Sequence, residues 1–381
     1  MGKPLSKRVI ITWVILTAAM IVYMVYMPFL IKDGADKSEY YGWMKSEPEA
    51  FTGQITVWHI VSFKPYVGSA GNWLANCAAP IEKKHFGVYF KVEAMSAEDC
   101  EARMQNGERA DIYSFPAGWC SGEKLRTMNL TQKPAMKSSF VSAGEYDGEQ
   151  HAIPYLYSVY NLLISSAIAS EKSVQLPSDG MSAEFVADTA EKLDFSRKSG
   201  RVYGMSGNAV LAALYGVHGD VTQINSFRDS DASMAFADIR FMGDLDRLNK
   251  LGKGIEHSSY TVTCYTDLVQ YIGIDSETDD SKLSYCNEFI SNVLSEKMQR
   301  TIPELGVFYT VELPDELVFE QETVQKMYDA AKNVPFANTF ALYDNRDEIS
   351  RLTAEALKGS DEAKGKLISL FCELVTGFKI E

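Results

Sequence analysis

Residues Tyr146–Ser165 read YDGEQHAIPYLYSVYNLLIS, and this stretch decides how the rest of the chain is organised. Tyr146-Asp147-Gly148 is a turn signal, and the β-branched and aromatic residues after it predict a strand. Pro154 removes one ladder donor from that strand, so a bend is expected where it falls. Tyr155, Tyr157 and Tyr160 offer rings with polar tips, and Leu162-Leu163-Ile164 is apolar enough to be buried on both faces. The segment therefore reads as a crossing strand, where one lobe ends and another begins, and it supplies both a hinge and a binding surface.

Working outward, the preceding residues alternate strand and helix: Ile55–Ile60, about 71–85, Val88–Glu93, about 96–106, then Asp111–Phe115. Ser96-Ala97-Glu98-Asp99 has the spacing of a capping box, and Gly107 stands where that helix would stop. This alternation predicts a parallel sheet with helices on both faces. Ligands of such sheets sit beyond the carboxyl ends of the strands, here Trp58, His59 and the run Ser114 through Trp119. After the crossing strand, helices are expected near 182–193, 208–217 and 242–251, with a strand near 232–239. Tyr271–Ile274 and a helix from Ser281 to about Arg300 return to the first lobe. Helix formers then fill 323–332, 347–358 and 361–374.

Taken in order, Ile55-Thr56-Val57-Trp58-His59, Asp111-Ile112-Tyr113-Ser114-Phe115, the G-x-x-x-A-I-P-Y of 148–155, Tyr271–Ile274 and Pro303–Phe308 resemble the extracellular solute-binding proteins, receptors of ABC importers, in their carbohydrate-type (family 1) branch. The resemblance spans roughly residues 54 to 310. It implies a type II periplasmic-binding-protein-like α/β fold of two lobes, each a mostly parallel sheet flanked by helices. Lobe one would take about 54–160 and 270–320, lobe two about 165–265, and helices in 321–381 would pack across both, within a solute-binding domain of 54–381. It also implies a ligand site built from Trp58, His59, Ser114, Trp119, Tyr155, Tyr157 and Ser158, with Phe340 brought toward the cleft. Ser158 occupies a position where the family often has a carboxylate for a sugar hydroxyl, a departure from the pattern.

The remaining sequence sets bounds. With 381 residues and 46% apolar content the chain can bury more than one core. A formal charge of −14 argues against a nucleic-acid partner, which needs basic groups to replace phosphate counterions. No nucleophile-elbow, zinc-protease, P-loop or dinucleotide motif occurs, and the five histidines are scattered, so neither catalysis, a metal nor a cofactor is expected. Six cysteines without a C-x-x-C leave disulfides and buried free thiols both open. Residues 1–8 are basic, and the uncharged run Val9–Ile31 is long enough to cross a bilayer. It reads as an uncleaved anchor or a signal, orienting everything downstream outside the cell, with 32–53 as a tether. The expected partners are thus the membrane, a small polar ligand and an ABC permease. The resemblance puts sugars and oligosaccharides first and polyols or glycerophosphate-like compounds next. A ligand sensor and a surface carbohydrate-active enzyme are the alternatives.

Overall fold

The structure is a computed structural model describing residues 16–21, 51–128, 135–136, 138–178, 182–193 and 205–380. Residues 16–21 are helical and exposed; the rest of the expected anchor lies outside the described residues. Among the described residues no helix is long and apolar enough to cross a membrane. Residues Gly53–Glu381 form one compact unit.

Its first half alternates β1 (Gly53–Ile60), α1 (Ala70–Lys84), β2 (Val88–Met95), α2 (Ala97–Gln105) and β3 (Ile112–Pro116). The local signals act as expected: the Ser96 hydroxyl accepts from Asp99 N, and Gly107 has φ 82°, a left-handed conformation open to glycine. A small hairpin, β4 (Glu145–Tyr146) and β5 (Glu149–Gln150), leads into β6 (Ile153–Tyr157), and three residues later β7 (Asn161–Ser165) begins. The next elements are α3 (Ala183–Lys192), β8 (Met205–Gly207), α4 (Ala209–Leu214), β9 (Val221–Thr222), β10 (Met234–Ala237), α5 (Ile239–Lys250) and β11 (His257–Thr261). The chain closes with β12 (Val269–Ile274), α6 (Leu283–Val293), β13 (Phe308–Tyr309), α7 (Glu322–Ala331), α8 (Thr339–Asp344), α9 (Arg346–Leu357) and α10 (Asp361–Leu374).

Two sheets result. The first has the order β13-β6-β12-β3-β1-β2 and the second β11-β7-β10-β8-β9. Consecutive strands β6 and β7 thus lie in different sheets, and so do β11 and β12, making two crossovers. The expectation of mostly parallel sheets is corrected here. β1 pairs in parallel with β2 and β3, and β8 with β9 and β10, but every pairing made by β6, β7, β11, β12 or β13 is antiparallel. Both sheets are mixed because the crossing strands run against the βαβ units they join.

Pro154 does not end its strand. Leu156 stands opposite Gln270 and Pro154 opposite Tyr271, so Tyr155 is the extra residue of a bulge, a place where a missing N–H is tolerated. The expected helix from 281 to 300 is broken. α6 stops at Val293, and Ser295 caps a separate turn by accepting from Met298 N. Residues 338–343, expected only to separate helices, instead form α8, whose Asn338 side chain accepts from Phe340 N and Ala341 N.

Alternation of side chains gives the first sheet two distinct faces. On one, Trp58 meets Tyr113 edge-on at 6.0 Å, and Tyr271 stacks on Phe115 at 5.9 Å. On the other lie His59, Ser114, Gln270 and Tyr155, with α1 above them: Trp73 stacks flat on Tyr155 at 5.7 Å. The C-terminal helices touch both halves: α7 packs against β11 and sets Tyr328 edge-on to Phe308 of β13 at 5.2 Å, while α9 and α10 pack against α4.

Candidate functional site: the cleft at the crossovers

Where a parallel pair of strands ends, the chain must turn into a helix whose first N–H groups need acceptors. β8 ends at Gly207, where φ is 92° and an added Cβ would lie 2.0 Å from the Phe236 carbonyl oxygen, so only glycine fits. The next residue, Asn208, caps α4 by accepting from Leu211 N at 3.0 Å. β10 ends at Ala237, and Asp238 caps α5 by accepting from Phe241 N at 2.8 Å. Asn208 and Asp238 are thereby fixed side by side at the carboxyl end of the second sheet.

The two crossovers meet them there. The Tyr160 carbonyl accepts from Val262 N and Ser158 N donates to the Leu268 carbonyl, both at 2.8 Å. The Thr266 hydroxyl donates to the Ser158 carbonyl at 2.8 Å. The Tyr160 hydroxyl donates to Asp267 at 2.8 Å and accepts from the Asn208 amide at 2.9 Å. Burial pushes the Asp267 carboxyl above its ordinary value against the opposing hydrogen bonds, and burial likewise raises Asp238.

This polar chain separates two hollows. One, about 540 Å³, is walled by Ala117 and Gly118 just past β3, by Ala209 and Val210 at the start of α4, and by Asp267, Leu342 and Arg346. Thr353, 7% exposed and with no hydrogen-bond partner for its hydroxyl among the described residues, also lines it. The other, about 380 Å³, is lined by Tyr160, Asn208, Gln223, Phe236 and Asp238. A larger cavity of about 770 Å³ lies beside β11, the edge strand of the second sheet. Its lining holds no charged group and no strand of the first sheet, so the hollows at the crossovers are the better candidate.

The residues expected from the sequence sit mostly beneath this cleft. His59, Ser114 and Tyr155 are brought together in one buried network. His59 Nδ1 is 2.9 Å from Ser114 Oγ, which is 2.9 Å from the Tyr155 hydroxyl. Gln270 completes it, its amide donating to Ser114 and to the Ile60 carbonyl. Burial pushes His59 down to about 4, so it is neutral at pH 7. Trp58 is buried under the Arg103 guanidinium, 4.7 Å from its ring centre, and its indole N–H has no hydrogen-bond partner among the described residues. Tyr157 packs between Phe140 and Phe308. Ser158 is fully buried at the first crossover. Phe340 lies under the β4–β5 hairpin, 5.6 Å from Tyr146. Trp119 alone of these residues is half-buried, against Tyr113 and Phe115 with the Lys124 ammonium 4.4 Å from its ring centre. Sequence reasoning passed over Asn208, Asp238 and Asp267. The readable signal was a capping residue directly after a short strand.

No family profile matches the chain, and no curated protein matches its sequence. Solved structures do match. The GacH receptor of Streptomyces glaucescens, solved unliganded and with acarbose, superposes with a TM-score of 0.57 at 16% identity, covering 86% of this chain and 100% of that one. The fold is that of the solute-binding proteins. An ABC substrate-binding protein of Listeria monocytogenes bound to cycloalternan has the same fold at a TM-score of 0.53 and 12% identity, over 86% of this chain and 100% of its own. UgpB of Mycobacterium tuberculosis, bound to glycerophosphocholine, matches at 0.55 and 13%, over 85% and 98%. Within the solute-binding fold, the six free cysteines carry no cross-links here: five are buried and Cys372 is exposed. Among the described residues no group of His, Cys, Asp and Glu side chains could hold a metal ion.

Proposed function

We propose that this chain is an extracytoplasmic solute-binding protein that captures a small polar solute, a sugar or oligosaccharide first, and delivers it to the permease of an ABC importer. The observation that carries the reading is the hollow of about 540 Å³ walled by residues from the carboxyl ends of both sheets, beside the two crossovers about which the halves can rotate. Amides, hydroxyls and carboxylates at Asn208, Tyr160, Asp238 and Asp267 supply the directional hydrogen bonds that a polyhydroxylated solute needs. Trp119 offers a ring from the first sheet. The buried set Trp58, His59, Ser114, Tyr155, Tyr157, Ser158 and Phe340 acts from below, fixing the strand ends and crossovers that carry the cleft. The function is binding, not turnover. The domain is held at the outer membrane face by Val9–Ile31, which remains attached.

Two measurements test the proposal. Thermal shift of the full chain in detergent against carbohydrates and polyols is expected to show stabilisation, about 2.7 kcal/mol at a hundredfold excess over Kd. The reading fails if no solute raises the melting temperature. Intact mass of protein from the native membrane is expected to include Val9–Ile31, and a chain beginning after Met20 would refute the anchor.

A further inference from the structure

One rim of the cleft is bridged across the two halves by Tyr66, on the loop after β1. Its hydroxyl donates to Asp246 Oδ2 on α5 at 2.8 Å. The same carboxylate oxygen accepts from the Thr323 hydroxyl of α7 at 2.8 Å, and Arg240 of α5 donates to the Tyr66 carbonyl at 3.3 Å. The ring lies in a slot made by two glycines. A Cβ on Gly243 would come 3.1 Å from Tyr66, and one on Gly306 would come 2.7 Å from it. Gly306 has φ 67° and terminates the turn before β13, so the slot has one wall from each half. Val67 N donates to the Leu305 carbonyl at 3.1 Å, seating the loop on the first half. Tyr66 is 9% exposed, and its burial and the Asp246 carboxylate both raise its pKa, so the hydroxyl keeps its proton as donor.

We infer that Tyr66, Asp246 and Thr323 form a latch that holds this rim shut before any solute arrives. Its consequence for uptake rests on the binding reading above: the solute enters by the opposite rim. The geometry supplies that asymmetry. The Tyr66 loop runs into α1, on the sheet face of His59, Ser114 and Tyr155. Gly118, which lines the hollow of about 540 Å³, adjoins Trp119, whose ring packs on the other sheet face against Tyr113 and Phe115. A solute that binds between the halves then meets a cleft hinged along one side. The latch strength sets how much of the closing free energy is already spent in the empty protein, a term that appears directly in apparent affinity.

The test needs no solute, so its failure leaves the binding reading standing and is distinguishable from it. Hydrogen exchange of the empty full chain in nanodiscs is compared for wild type, Tyr66→Phe, Thr323→Val and Tyr66→Phe/Thr323→Val. The expected result for Tyr66→Phe is roughly tenfold faster exchange, equivalent to ~1.4 kcal/mol, in residues 61–69 and in α5 together. The double variant should add less than the sum of the two singles, since both act through Asp246. Faster exchange confined to 61–69, no change in α5, or strictly additive singles would each overturn the latch. If Tyr66→Phe loosens the whole chain, Thr323→Val decides: it leaves the ring in its slot, and unaltered exchange at both 61–69 and α5 refutes the proposal.

Discussion

The Tyr160 hydroxyl on the first crossover donates to the Asp267 carboxylate on the second at 2.8 Å, so one hydrogen bond ties together the two strands of chain about which the halves would turn. A hydrogen bond to a charged partner contributes about 1.5–3 kcal/mol. Tyr160→Phe is expected to lower unfolding free energy by about that amount in urea titration while leaving the denaturant slope unchanged. Asp267→Asn should lose less. The amide oxygen can still accept, and the desolvation that raises the carboxyl is relieved. If Tyr160→Phe has no effect, the bond is not a tie.

The second expectation concerns acid. His59 is neutral when folded, with its pKa down at about 4, and has an ordinary value near 6.5 when unfolded. Between those values the unfolded chain binds a proton that the folded chain refuses, so stability falls as pH drops through that window. At ~1.4 kcal/mol per unit, the loss from pH 7 to pH 5 is about 2 kcal/mol from this residue. His59→Gln should flatten that part of the pH–stability curve. Equal slopes for both proteins from pH 7 to pH 5 would show that His59 is not desolvated.

Tyr155 separates packing from binding. It is fully buried, stacked on Trp73, with its hydroxyl in the Ser114 network. Tyr155→Ala should cost about 3–5 kcal/mol of stability by the cavity it leaves. Tyr155→Phe, which keeps the ring, should cost about 1 kcal/mol. Chemical denaturation of the solute-free chain reads both.

Trp119 gives the complementary case. Trp119 is half-buried and follows Gly118, which lines the hollow; Trp119→Ala is expected to weaken calorimetric binding of whichever carbohydrate scores in the thermal-shift panel by roughly thirtyfold, about 2 kcal/mol. Its effect on solute-free melting should be smaller than that of Tyr155→Ala. An unaltered affinity would leave Trp119 as a packing residue against Tyr113 and Phe115.

Much of the fold could be read from local signals that act over a few residues. The strand–helix alternation up to Phe115, the cap at Ser96 and the crossing after Tyr146 are of this kind, since each depends on its own neighbours. Pro154 was legible as an interruption but not as a bulge, because the bulge depends on how Gln270 and Tyr271 align from far along the chain. His59, Ser114 and Tyr155 were expected together because they fall at strand ends or just past the Pro154 bend, the same reasoning that grouped Trp58 with His59 although alternation sets those two on opposite faces. The depth of His59, Ser114 and Tyr155 was not legible, because α1 covers the face they share and nothing in the strands announces it. The cleft groups Asn208, Asp238 and Asp267 were hidden for a different reason. Capping residues and acidic residues are common on any surface, and only the convergence of two strand ends and two crossovers gives these three a shared position.

The placement of β12 and β13 also bears on how the protein is made. β6 ends at Tyr157, yet the strands that flank it in the first sheet begin at Val269 and Phe308, and α9 and α10 reach α4 only near the end of the chain. Nascent β6 therefore has an open edge on each side until most of the polypeptide has emerged. Such distant pairings fold slowly, because a long loop must close before its contacts form. If the chain is exported, as the proposed function requires, late closure would keep the polypeptide extended during passage, with compaction once its last third has arrived.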